Sequence, residues 1–209
     1  MRTFKAHTKK ETKKETVKQI KKKQKEMSKI ENLVNSVSTE RKLYSDQLIN
    51  ISEAQAQWKP KPEDWNLIEI TEHLFWAEQG GIFGMWKTIN AIREGNMERI
   101  LDSKHKEMPI QQIIELTWQT KEIVPPSAAP RMGGTLSFWV ASLNSLQDVL
   151  NAFGGDLQDN ELRFQSQPHP ISGALDFQQR FEFLAFHISR HREQCAKLIK
   201  EIDSTLRNE

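Results

Sequence analysis

The chain has 209 residues, 37% of them hydrophobic, with one cysteine and a formal net charge of +2 at pH 7. That length suffices for one domain with a buried core; the lone Cys195 excludes an intrachain disulfide, and no apolar run approaches the roughly 18 residues of a membrane-spanning helix. A soluble protein of the cytoplasm is the simplest expectation.

The near-neutral total hides an asymmetry. Residues 1–29 carry twelve lysines and arginines against three glutamates, in runs such as "KKETKKET" and "KKKQK". There is no apolar h-region, so this is no secretory signal, and the lysines and glutamates are too many for a typical mitochondrial transit peptide. We read residues 1–27 as a basic N-terminal extension, helical or disordered and solvated, rather than as a contact for nucleic acid or anionic lipid. The domain proper is expected over residues 28–206. "MSKIENLV" opens it: Ser28 caps a first helix and Glu31, three residues on, reaches back.

Apolar residues then recur at helical steps in four stretches, and alternation of the strand type is nearly absent. In the first, Ile30, Val34, Val37, Tyr44, Leu48 and Ile51 form a stripe broken only at Arg41, ending before the prolines of "WKPKPEDW". The second opens at "WNLIE", where Asn66 is the cap, Glu69 its partner, and Trp65 and Ile70 stand at the positions of a hydrophobic staple. Its core stripe runs Ile70, His73, Ala77, Gly81, Gly84, small residues that admit a close neighbour, although Gly80 and Gly81 weaken the helix. Residues 96–134 are less orderly, with a short helix near 110–120 and a loop over "VPPSAAPRMGG". A third long helix carries Trp139, Leu143, Leu146, Leu150 and Phe153 and is expected to stop at the glycines 154 and 155. After the "PHPISG" linker the fourth reads Phe177, Phe181, Leu184, Ile188, His191, Cys195, Leu198, Ile202. The fold class predicted is all-α, a four-helix bundle, the architecture in which inward side chains of facing helices build metal sites.

Three histidines fall on these inward stripes: His73 on the second helix, His187 and His191 on the fourth. Residues four apart lie one above the other on a helix, as two imidazoles must to share an ion. A lone HxxxH is weak, and a lone histidine on an apolar face is more often a hydrogen-bonded core residue; three in one seam have few other ways to be satisfied. His169 in "PHP" is read as a loop hydrogen-bonder, His7 and His105 as exposed, and Cys195 as an inert core thiol.

"WNLIEITEHL", followed much later by "HPISGALDFQQRFEFLAFHISRHREQ", resembles the DinB/YfiT-like family of small four-helix-bundle metalloproteins, over about residues 28–206. The resemblance implies His73, His187 and His191 as ligands of one divalent ion. Three histidines without a cysteine quartet describe an open site, which favours an enzyme. Zinc, nickel, iron and manganese all suit imidazole.

A hydrolase usually has a carboxylate beside the ion as general base. Glu69 lies one turn before His73 and competes for that role with its own cap; Glu72 is about 100° away around the helix and is expected to be solvated. Arg190 and Gln194, each three residues after a candidate ligand, stand where they can orient a ligand or substrate. Without an evident base, activation of a low-molecular-weight thiol for S-transfer to an electrophile is the first reading; the resemblance supports it, since characterised relatives include metal-dependent S-transferases using bacillithiol or mycothiol. A metal-dependent hydrolase is the alternative, and a non-catalytic helical binding module the third; a homodimer is compatible with each.

Overall fold

The structure, a computed structural model, describes residues 27–118 and 124–206. Those residues form six α-helices, a short 3-10 turn and no strand beyond two isolated bridges. The helices are α1 (Lys29–Asp46), α2 (Glu53–Gln57), α3 (Leu67–Arg93), α4 (Ile110–Thr117), α5 (Leu136–Asp156) and α6 (Phe177–Leu206). The N-terminal basic run and His7 lie outside the described residues.

The starts of α1 and α3 follow from local chemistry. Ser28 Oγ accepts from the Glu31 amide while the Glu31 carboxylate accepts from the Ser28 amide. Asn66 and Glu69 repeat the arrangement, satisfying amides that a helix N-terminus otherwise leaves orphaned. Helix α1 ends at Asp46 rather than reaching Ile51, and the separately capped α2 follows before the prolines.

Four long helices form the bundle: α1 packs on α5 and α6, and α3 packs on the same two. Their directions follow from paired residues. Ile30 and Val34 of α1 meet Gly154, near the end of α5, whereas Ser45 of α1 reaches Asn144, so α1 and α5 are antiparallel. On α3, Phe75 and Trp76 contact Trp139, Trp86 contacts Phe153 and Arg93 reaches Asp156, so α3 and α5 run parallel. Parallel neighbours need a crossover, which explains the long connection between Arg93 and Leu136 with α4 inside it. Helix α4 packs Ile110, Ile113 and Ile114 with Leu175 and Phe183 as a satellite cluster beside the main core.

Two expectations are corrected here. Arg41, the break in the first stripe, is buried, and its guanidinium bonds Glu78 and Gln147. The glycines 154 and 155 do not stop α5, which continues to Asp156. A Cβ on Gly154 would stand 2.7 Å from Val34 Cγ2, so this glycine is a contact point for α1. Helix α3 likewise continues through Gly80 and Gly81 to Arg93.

Candidate metal centre

His73 belongs to the second turn of α3, and His187 and His191 to consecutive turns in the middle of α6. The core stripes turn all three inward and bury them. Their Nε2 atoms converge: His73 to His187 is 3.2 Å, and His191 to His187 is 3.1 Å. One nitrogen from each of the three lies within 4.8 Å of the others, a grouping able to hold a metal ion.

The opposite ring nitrogens set the tautomers. His73 Nδ1 donates to the Ala128 carbonyl at 2.8 Å, and His191 Nδ1 donates to Gln194 Oε1 at 2.8 Å. Both rings therefore present bare Nε2 lone pairs inward. His187 Nε2 can carry one proton and point it at only one neighbour, so at least one contact sets lone pair against lone pair unless a cation lies between them. Burial disfavours imidazolium: it lowers the pKa of His73, takes His187 well below the ordinary 6.5, and brings His191 to about 3. Three imidazoles that burial holds neutral, two of them with outward N–H groups held by acceptors, are a donor set that could hold a divalent ion.

The cluster borders a cavity of about 850 Å³, a volume suited to a small molecule. Trp65, Trp118, Phe183 and Leu184 give it apolar walls, and Trp65 packs on His73 with ring centroids 5.0 Å apart. Arg190 lies over the Trp118 ring at 5.1 Å and lines the cavity. Gln194 lines it too, while bonded to His191.

The nearby carboxylates are placed differently from expectation. Glu69 is fully occupied at the helix start: Oε2 accepts from the Asn66 amide and Oε1 pairs with Lys59 at 2.8 Å. Glu72, expected in solvent, is buried. Its carboxylate accepts the amides of Arg131, Met132 and Gly133 at 2.7–3.0 Å and the Trp76 indole at 3.1 Å. Burial pushes its pKa up, but these four donors outweigh that and hold it below the ordinary carboxylate value. Glu72 thereby fastens the loop whose Ala128 carbonyl orients His73. The sequence carried no sign of this, because the partners are backbone amides of a distant loop.

The remaining histidines divide. His169 Nδ1 accepts the amides of Ile171 and Ser172, as a loop residue should, in a turn closed by Gly173 at φ +70°. His105 is not exposed: it is buried and donates from Nδ1 to the Ala174 carbonyl. Cys195 is buried beside the Tyr44 hydroxyl, and burial pushes its thiol up to about 12, as an inert core group requires.

Comparison with known proteins agrees with this architecture. A structure of an uncharacterized protein from Clostridium difficile 630 superposes with a TM-score of 0.51 at 13% identity, covering 84% of this chain and 98% of that one. A conserved protein from Enterococcus faecalis gives a TM-score of 0.49 at 10% identity, covering 86% and 99%. A search of curated proteins found no match. The family profile of the DinB superfamily matches residues 37–195, a span that includes all three inward histidines, and the chain belongs to that superfamily.

Proposed function

We propose that this protein is a divalent-metal-dependent enzyme of the thiol S-transferase type, with His73, His187 and His191 as the ligands. The observation that carries the reading is the convergence of three neutral Nε2 donors on a small-molecule cavity, with no carboxylate among the described residues hydrogen-bonded to them. Glu69 and Glu72 are committed to backbone amides and Lys59. Glu63, Asp64 and Glu193 also line the cavity, but all are at least partly exposed and none is hydrogen-bonded to the cluster. A hydrolase would want a base in that place; a thiol needs only to lose its proton.

A divalent ion, held by His73, His187 and His191, would supply the Lewis acidity that lowers a thiol's pKa. The chain's own residues do the rest. Ala128 and Gln194 fix the tautomers, the Glu72-anchored loop holds His73 in register, and the aromatic walls exclude water from the reacting groups. Zinc, nickel, iron and manganese remain equally compatible with three imidazoles.

The test is metal content per chain for the wild type, His73→Ala, His187→Ala, His191→Ala and, as control, His7→Ala, followed by consumption of a small thiol with an epoxide. Near-stoichiometric metal in the wild type and control, loss in the three variants, and metal-dependent thiol consumption are expected. Ester cleavage without thiol would replace the transferase by a hydrolase, and equal metal in all five proteins would refute the site.

A further inference from the structure

Two arginines are buried in this bundle, and they are treated differently. Arg41 has Glu78 and Gln147. Arg180, 6% exposed, has no such company: its Nη1 lacks a hydrogen-bond partner, and it joins none of the ion pairs among the described residues. Burial alone, with no acid to offset it, brings its pKa down to about 10. Holding an uncompensated cation out of water is unfavourable.

Its position gives that cost a purpose. Arg180 lines the same cavity as the three histidines. It precedes His187 by seven residues, two turns of α6, so it leaves nearly the same face about 10 Å further along the axis. Opposite it on α3 is Gly81, where a Cβ would stand 3.5 Å from Arg180 Nη2 and 3.4 Å from Leu184 Cδ2. The guanidinium thus lies between the two helices, close to Gly81. Leu184 and Phe183 line the cavity between the charge and the histidines, with the His169 ring packed on Phe183.

We propose that Arg180 is the anion-binding end of the substrate cavity, pairing with a carboxylate or other oxyanion of a substrate whose reacting atom reaches the three histidines about 10 Å away. A planar guanidinium matches an oxyanion with two parallel hydrogen bonds, and the ligand's charge supplies the compensation the protein omits. The inference rests on the cavity being the substrate site, as the proposed function has it, but not on a metal ion.

The experiment uses the full chain stripped with chelator, at fixed ionic strength, with hexanoate, hexyl phosphate and the uncharged hexanamide as probes in calorimetric titration and thermal melting. Hexanoate or hexyl phosphate should bind and raise the melting temperature of the wild type, and hexanamide should not. Arg180→Met should weaken anion binding at least tenfold, hold as much metal as the wild type, and melt no lower without ligand, because a buried unpaired charge has been removed. Arg180→Lys, which keeps the charge but not the fork, should bind with intermediate strength. The proposal is overturned if anions and amide act alike on the wild type, if Arg180→Met keeps the anion response, or if it melts far below the wild type, which would make Arg180 a packing residue. Because the probes are read without metal, loss of the metal reading leaves this result intact, and the converse holds.

Discussion

Glu72 and His73, adjacent on α3 and pointing about a quarter-turn apart, hold one loop at two points: Glu72 takes the amides of residues 131–133, and His73 donates to the carbonyl of Ala128. The loop is therefore clamped against the helix on both sides of Pro130. Glu72→Gln keeps the shape but turns one acceptor into a donor facing amides. It is expected to cost about 1–3 kcal/mol and, by loosening His73, to weaken metal affinity by about 10- to 100-fold. Denaturant unfolding of the stripped protein and competition with a chelator measure the two effects separately; an unchanged metal affinity would show that Ala128 does not depend on Glu72.

The Arg41–Glu78 pair joins α1 to α3 with both side chains buried. Burial raises the Glu78 pKa and Arg41 opposes it. Glu78→Leu leaves a charged guanidinium without its carboxylate and should cost about 3–5 kcal/mol, whereas the double change Arg41→Met with Glu78→Leu should recover most of that loss. Urea midpoints of the three proteins decide; equal loss in single and double variants would show that packing, not charge, carries the cost.

Acidification should destabilise the stripped protein over a defined window. His169 and His191 have folded pKa values of about 3, both through burial, with the nearby cation Arg180 adding to the effect on His169. Below the ordinary imidazole value near 6.5 the unfolded chain binds protons that the folded chain refuses. Protons bound by the unfolded state then exceed those bound by the folded state, so stability falls as pH drops from about 6.5 towards 3, and these groups add no slope above that. The same lowered basicity means weaker proton competition for the ligand nitrogens, so metal should be retained at pH 5, where an unperturbed imidazole would already be mostly protonated. Melting temperatures from pH 8 to 4 and metal content at pH 5 check both statements; a flat profile would mean the rings are protonated in the folded state.

What could be read from the sequence was what is local. Ser28 with Glu31 and Asn66 with Glu69 signal helix starts because the partners are three residues apart. The stripes of α3 and α6 were legible for the same reason, and they carried His73, His187 and His191 inward. What escaped depends on distant chain. Glu72 was assigned to solvent because it lies off the bundle-facing stripe, yet the loop after Pro125 covers that face. His105 sits among charges but is buried against the carbonyl of Ala174. The glycines of α5 signal a helix stop by propensity, and the contact of Gly154 with Val34 outweighs it. Arg41 was legible only as a break in its stripe and Arg180 left no signal; only the packing of α3 separates the paired cation from the unpaired one.

The spacing of the three inward histidines along the chain also fixes when they can meet. His73 and His187 are 114 residues apart, on helices adjacent in space. During synthesis a nascent chain that has released α1, α3 and α5 possesses one of the three imidazoles, so its affinity for a metal ion is that of a single exposed side chain. The three imidazoles come together only once α6 packs against α3. Were an ion held as proposed, bound metal would therefore report that α6 is in place against α3.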